Sequence, residues 1–241
     1  NDSAKIENLT MDFSSDKYVA CKAAVRVNLH DVAGSAVQSD ALLDGRVILT
    51  KNRFSVDANL SASFKVNDYE ITGLKNSVSY RDGRLTAVSG QESASKISGT
   101  VNFAGAGGLK FDNVKISLPD LEMDAGGEYK AGGRLNMLIN IKQLDLNSFG
   151  EMAGLKKKMK GTLSCPLKVT GASDSPVITA SLKIADGYYE TVNFDLIMAE
   201  LEVKDGMLRL DKDKVFLKKR IEGMGDYRLE AVGLVPFPLT E

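Results

Sequence analysis

From Phe54 to Val66 every even position is apolar (Phe54, Val56, Ala58, Leu60, Ala62, Phe64, Val66), and every odd position between them is polar (Ser55, Asp57, Asn59, Ser61, Ser63, Lys65). Successive side chains of an extended strand point to opposite faces, so this run predicts a strand with one dry and one wet side. At ~3.3 Å per residue it spans on the order of 40 Å, about twice an ordinary strand. The alternation recurs. Val19, Cys21, Ala23, Val25, Val27 and Leu29 share one phase, with Lys22, Arg26 and Asn28 on the other. Leu135, Met137, Ile139 and Ile141 alternate with Arg134, Asn136, Asn140 and Lys142, Leu138 being the exception. The phase then slips to Leu144 and Leu146, as a β-bulge would cause. Leu163 to Val169 and Ile178 to Ile184 repeat the pattern, and shorter versions fall at 109–118, 192–198 and 227–235.

Turn signals separate these runs. Asp-Gly occurs at Asp44-Gly45, Asp82-Gly83, Asp186-Gly187 and Asp205-Gly206, a dipeptide suited to the positive φ angles of tight hairpins. Two of these pairs lie nineteen positions apart and two lie twice that, which suggests a loose strand-turn-strand repeat. Only Leu146–Met159 reads as helix. Asn147 or Ser148 is placed to cap it, Phe149, Met152, Leu155 and Met159 fall at helical spacing, and Lys156, Lys157, Lys158 and Lys160 crowd its end. That lysine run suits either a helix C-terminus or anionic lipid headgroups. The expected fold class is mainly β: long, antiparallel-rich strands curled into an elongated groove, with one short helix near 147–159. The chain is expected to be a single elongated segment with subunits at 1–145 and 146–241.

Composition narrows the function. Lys plus Arg number 31 against 32 Asp plus Glu, so no basic surface invites nucleic acid. Apolar residues make up 43%, which argues against disorder. Trp is absent and aromatics reach only 7%, so an interior must be built of Val, Leu, Ile and Ala. Residues 1–5 are polar and carry no signal peptide, and the abrupt start and end suggest a soluble fragment of a longer polypeptide. Cys21 and Cys165 fit no metal or redox spacing. Both fall on apolar phases, as small buried hydrophobes or as a disulfide formed in an oxidising compartment.

Catalytic signatures are missing. The single histidine, His30, lies on the polar phase of its strand, and no GxSxG, HExxH or P-loop pattern is present. Gly105-Ala106-Gly107-Gly108 lacks the Lys and Ser/Thr of a phosphate cradle and reads as a hairpin tip. Asp120, Glu122 and Asp124 alternate around Leu121 and Met123 and share a phase, a pattern compatible with Ca²⁺ or glycoside chemistry but more common as solvated strand charge. Asp211 and Asp213 imitate a calcium loop only faintly, because Lys212 and Lys214 intervene. No enzyme, metal or cofactor is expected.

Several long strands with one aliphatic face must hide that face from water. Either a second layer fills the space, as in a sandwich, or the sheet curls into a trough whose dry lining takes acyl chains. Each methylene moved into such a lining gains ~0.8 kcal/mol, so a tail of about sixteen carbons gains on the order of 10 kcal/mol before entropic losses. The lining positions would be Val25, Val27, Phe54, Val56, Leu60 and Phe64 in the first half. In the second half they would be Leu135, Met137, Ile139, Leu167, Ile178, Leu182, Ile184, Phe194 and Leu196.

The segment Leu144–Gly187, LDLNSFGEMAGLKKKMKGTLSCPLKVTGASDSPVITASLKIADG, strings together a short helical link, Gly-Thr-Leu, a strand, a Gly with Pro soon after, a second strand and Asp-Gly. In this order it resembles the unit of TamB and its AsmA-like relatives. The close at 223–239, a strand followed by Pro-Phe-Pro-Leu, is similar to the end of a TamB repeat, and Gly99-Thr100-Val101 echoes Gly161-Thr162-Leu163. The match covers about the C-terminal hundred residues; the remainder agrees in pattern only. The resemblance implies a repeating β-groove (β-taco) enclosing a hydrophobic channel. It further implies a periplasmic location in the cell envelope of a diderm bacterium, in a full-length protein anchored in the inner membrane. The implied work is phospholipid transport between the inner and outer membranes, or outer-membrane biogenesis with a β-barrel assembly partner. Its partner molecule would be a phospholipid or another acyl-chain lipid. The alternative is a structural β-solenoid or adhesin-like spacer with a filled core. A β-helical polysaccharide enzyme would require more aromatic residues.

Overall fold

The computed structural model describes residues 3–13, 15, 17–32, 35–50, 53–67, 69–90, 93, 95–104, 107–152, 158–222 and 224–236. Side chains are described for these residues except 3–7, 23–32, 35–37, 49–50 and 53. The strands are β1 (Ser3–Asp12), β2 (Val19–Val32), β3 (Ser35–Thr50), β4 (Arg53–Val66), β5 (Tyr69–Arg81), β6 (Arg84–Ser89), β7 (Lys96–Ala104), β8 (Gly108–Leu118), β9 (Leu121–Lys130) and β10 (Arg134–Asp145). Helix α1 (Leu146–Met152) follows, and then β11 (Met159–Ala172), β12 (Ser175–Tyr189), β13 (Val192–Lys204), β14 (Met207–Ile221), β15 (Gly225–Glu230) and β16 (Gly233–Pro236). They form one antiparallel sheet of sixteen strands that does not close into a barrel. From β1 to β15 the strands stand in chain order; β15 and β16 share the outer side of β14, at its two ends.

Two compact units divide the chain. The first holds residues 1–104, 111–119 and 151–155; the second holds 105–110, 120–150 and 156–241. Residues on the two sides of the expected 145/146 division, β10 and β11, lie in the same unit and pair along nearly the whole length of β10, which also carries β9.

The strands read from alternation are present except at 227–235, where the run breaks at 231–232 into β15 and β16; the bulge expected after Ile141 is there. The β10–β11 register shifts between Ile141 and Leu144, which keeps Leu144 on the same face as Ile141 and opposite Leu163. Leu138, the odd residue in the pattern, stands 60% exposed on the polar side. The Asp-Gly signals divide. Asp82-Gly83 and Asp205-Gly206 are tight turns with positive φ at both residues. Asp44-Gly45 lies inside β3, paired on both sides, and Asp186-Gly187 lies inside β12, so neither ends a strand and the nineteen-residue spacing has no structural counterpart. The glycines there serve close approach. A Cβ on Gly45 would stand 2.4 Å from Cβ of Ala58, its cross-strand partner. Gly187 makes room for Phe194, whose ring lies where the missing Cβ would be. Asp186 does adopt φ of +50°, at a bulge in the β11–β12 register and not at a hairpin.

Helix α1 is shorter than expected. Its cap is Asp145, whose Oδ1 accepts from the Ser148 backbone N–H at 3.0 Å, a role assigned in advance to Asn147 or Ser148. Ser148 instead donates its hydroxyl to Asp120 Oδ2 at 2.9 Å, and the Asp145 N–H reaches the Asp120 carbonyl at 2.9 Å. Met159 is no helical residue; it is buried at the start of β11 and pairs with Tyr189. Leu155, Lys156 and Lys157 lie outside the described residues, Lys158 is exposed just before β11, and Lys160 is a strand residue.

At the other end of the chain β6 is too short for its neighbour, covering only Asn76–Arg81 of β5. Serines complete the edge. Ser93 Oγ donates to the Gly73 carbonyl at 2.8 Å and Ser95 Oγ to the Thr72 carbonyl at 3.1 Å, both hydroxyls being buried. With its side-chain amide turned to suit its neighbours, buried Asn76 donates to the carbonyl oxygens of Lys75 and Ile97 at 3.0 and 3.2 Å.

Gly187→Ala should destabilise the fold by about 1–3 kcal/mol in urea unfolding, because the new methyl must displace the Phe194 ring. Combining it with Phe194→Leu should recover part of that loss. Full additivity of the two substitutions would show that ring and glycine are not coupled.

Candidate functional site

Cross-strand partners in an antiparallel pair project to the same face, so the register shows which predicted lining residues meet. In the first unit Val56 stands between Val47 and Tyr80, Leu60 between Leu43 and Asn76, and Phe64 between Ser39 and Ile71. Phe54 pairs with Leu49 at the margin and is 48% exposed. Its ring centroid lies 5.7 Å from that of Tyr80, which lies 6.1 Å from that of Phe103, a short aromatic series that alternation alone did not single out. The register sets Val25 opposite Ala41 and Val27 opposite Ser39, in phase with these rows; the side chains of both valines lie outside the described residues.

In the second unit the apolar positions align in rows that cross the strands. Leu121, Leu144, Leu163, Ile184, Ile197, Leu217 and Leu229 follow one another from β9 to β15, each the direct partner of the next. At ~4.8 Å between strands, this row of Leu and Ile runs about 29 Å. Parallel to it run Ala125, Ile139, Leu167, Ala180, Leu201 and Leu210, and next to that Gly127, Met137, Val169, Ile178, Val203 and Leu208. Leu135 joins Tyr129 and Gly171 at the far end, and Leu182 faces Ala199. Ile197, Leu217 and Leu229 were not among the expected lining residues, because only the register of β13 to β15 brings them into the row.

Two expected positions are corrected. Leu196 is the neighbour of Ile197, which pairs with Ile184; Leu196 itself pairs with Ala185 and Lys218 and belongs to the opposite face. Phe194, two residues before Leu196 in β13 and in the same phase, is 5% exposed with its ring packed over Gly187 and offers little free surface.

The burial of these rows is distinctive. Val56, Leu60, Phe64, Leu135, Met137, Ile139, Leu167, Ile178, Leu182 and Ile184 are all half-buried. The most buried apolar residue, Leu74, retains 2% exposure, and no side chain is more enclosed among the described residues.

The polar candidates resolve into structural roles. Lys142 Nζ lies 3.1 Å from Glu122 and 2.8 Å from Asp124, and these hydrogen bonds, that to Asp124 first, hold its ammonium pKa above the usual lysine value. Asp120 is engaged separately with Ser148, so the three carboxylates do not converge. Asp211 is taken by Arg209 at 2.7 Å. Among the described residues no group of His, Cys, Asp and Glu is arranged to hold a metal. His30 lies in β2, with its side chain outside the described residues. Both cysteines are free thiols; Cys165 is buried in the lining between Leu163 and Leu167, and burial pushes its pKa up. Among the described residues no helix is long and apolar enough to cross a membrane. No protein-family model matches this chain, and neither a curated protein nor a solved structure is significantly similar to it.

In a Cys21→Ser background, alkylation of native Cys165 by iodoacetamide should follow a pH profile displaced to higher pH than in urea, since a buried thiol ionises later. A native profile at or below the unfolded one would place Cys165 in a wet or cationic setting instead.

Proposed function

We propose that the chain is a non-enzymatic, lipid-holding segment of a cell-envelope protein, its dry face serving as the wall along which acyl chains lie. One observation carries this reading: most of the aligned Leu, Ile, Val and Met residues of the second unit stay half-buried where a filled sandwich core would bury them, only Leu144, Leu163 and Val203 being buried and Leu229 standing exposed at the end of its row. Apolar surface in that state is unfavourable in water at ~25 cal/mol per Å², and a hydrocarbon chain laid along the rows removes it. The lining suits a sliding occupant. It is aliphatic, it contains no Trp, and few polar groups along it would fix a ligand in one place.

We further propose that the segment belongs with the TamB and AsmA-like β-groove proteins, carrying phospholipid between the inner and outer membranes of a diderm envelope or supporting outer-membrane protein assembly beside a β-barrel partner. The open, chain-ordered antiparallel sheet is in keeping with that placement, as is the short helix before the Gly-Thr-Leu strand.

Leu60→Asp and Leu182→Asp test the reading. In an open groove each variant should keep the β-sheet circular dichroism of the parent. Each should also lose most of the phospholipid that mass spectrometry detects on the purified parent, along with binding of a fluorescent fatty acid. Unfolding of both variants would mean the face is a packed core, as a structural spacer requires, since a charge buried there has no partner.

A further inference from the structure

The face opposite the aliphatic rows of the first unit carries a cavity of about 620 Å³. It lies over β3 to β6, where the register aligns two rows of polar side chains. Arg46, Asp57, Ser79 and Thr86 form one row, and beside it Asp44, Asn59 and Ser77 lead to Val88. All of these line the cavity, whose margin is Tyr18, with the Arg46 guanidinium 5.8 Å above the ring.

Three features of this lining bear on what it would hold. The polar groups are pre-positioned. Arg81 Nη2 donates to both oxygens of Asp57 at 3.1 and 2.9 Å, and Ser77 Oγ donates to Asn59 Oδ1 at 3.2 Å. Each of these pairs still has capacity: the second lone pairs of the Asp57 carboxylate, both amide hydrogens of Asn59, and the lone pairs of Ser77. The charges largely cancel, Asp57 against Arg81 and Asp44 against Lys22 at 3.0 Å, so the cavity presents no concentrated field for a phosphate or a metal. Finally, apolar surface sits beside the polar rows, at Val88, which is 56% exposed, and on the Tyr18 ring. Paired donors and acceptors at a spacing of ~5 Å between strands, next to apolar patches, match a hydroxyl-bearing ring with C–H faces.

We propose that this cavity is a binding site for an uncharged oligosaccharide. It lies on the other side of the sheet from the aliphatic rows, and it stands or falls independently of the lipid reading. The hydroxyls of one or two sugar units would bond to Asp57, Asn59 and Ser77, and the C–H face of a ring would rest against Val88 or Tyr18.

The test is titration of the full 241-residue chain with cellohexaose, chitohexaose and trigalacturonate, followed by calorimetry and by backbone amide NMR. At least one neutral glycan should bind and shift amides of β3 to β6. Asp57→Asn and the double variant Asn59→Ala/Ser77→Ala should each weaken that binding by about tenfold, as loss of one or two hydrogen bonds to a ligand does. Both variants should melt like the parent and keep their co-purified lipid, and Leu182→Asp should leave glycan binding unchanged. Should a variant fail to fold, Ser79→Ala with Thr86→Val takes its place. The proposal is overturned if neither neutral glycan shifts these amides at millimolar concentration, or if the variants bind as the parent does. Binding of trigalacturonate alone, abolished by Arg46→Ala, would overturn it as well, marking an anion site.

Discussion

A strand with one dry side is useful to this protein only if its neighbours' dry sides fall on the same face, and that requirement of phase governs the sheet. A slip of one residue at any ladder would turn the remainder of a strand's apolar set toward water. The seven-residue row from Leu121 to Leu229 exists because every junction from β9 to β15 keeps this alignment. Long strands make the task harder, since right-handed twist and small mismatches in length accumulate along ten to sixteen residues.

Bulges absorb the mismatch. The register shifts at Asn8, at Gly73 opposite Ala62 and Phe64, after Ile141, at Asp186, and at Asp213. Asn8, Asp186 and Asp213 take positive φ at these points, which short polar side chains tolerate better than most. Two apparent irregularities of the chain, the phase slip at Leu144 and an Asp-Gly inside β12, are thus corrections that keep Leu144 and Ile184 in the aliphatic rows. Glycine serves a related need at positions 45 and 187, where neighbouring atoms occupy the space of a side chain.

The two faces of the sheet are chemically unlike. One bears half-buried aliphatic rows. The other bears ion pairs and hydroxyl ladders such as Arg81–Asp57 and Thr86–Thr100. The surface ion pairs contribute little to stability one by one, but they hold side chains in fixed positions across the strands. The carboxylates at 122 and 124 are spanned by Lys142, a structural use of a cluster that in sequence invites a metal.

What the sequence by itself determined is the element type and the identity of the dry phase in the strongly alternating runs. Phe54–Val66, Leu135–Ile141, Leu163–Val169 and Ile178–Ile184 are strands with those faces, because period two is a local property of extended backbone. It did not determine β3, where Leu42 and Leu43 stand side by side, nor β9, where Gly126 and Gly127 hide the pattern. Nor did it show whether Asp-Gly would turn or bulge, since both need the same dihedral angles and only the neighbouring strands distinguish them. Leu196 fell on the wrong side for the same reason: its face is set by pairing with Ala185 and Lys218, residues eleven and twenty-two positions away. Tertiary structure alone decided which residues of different strands stand side by side, because register is a long-range agreement between strands that no single stretch of chain contains.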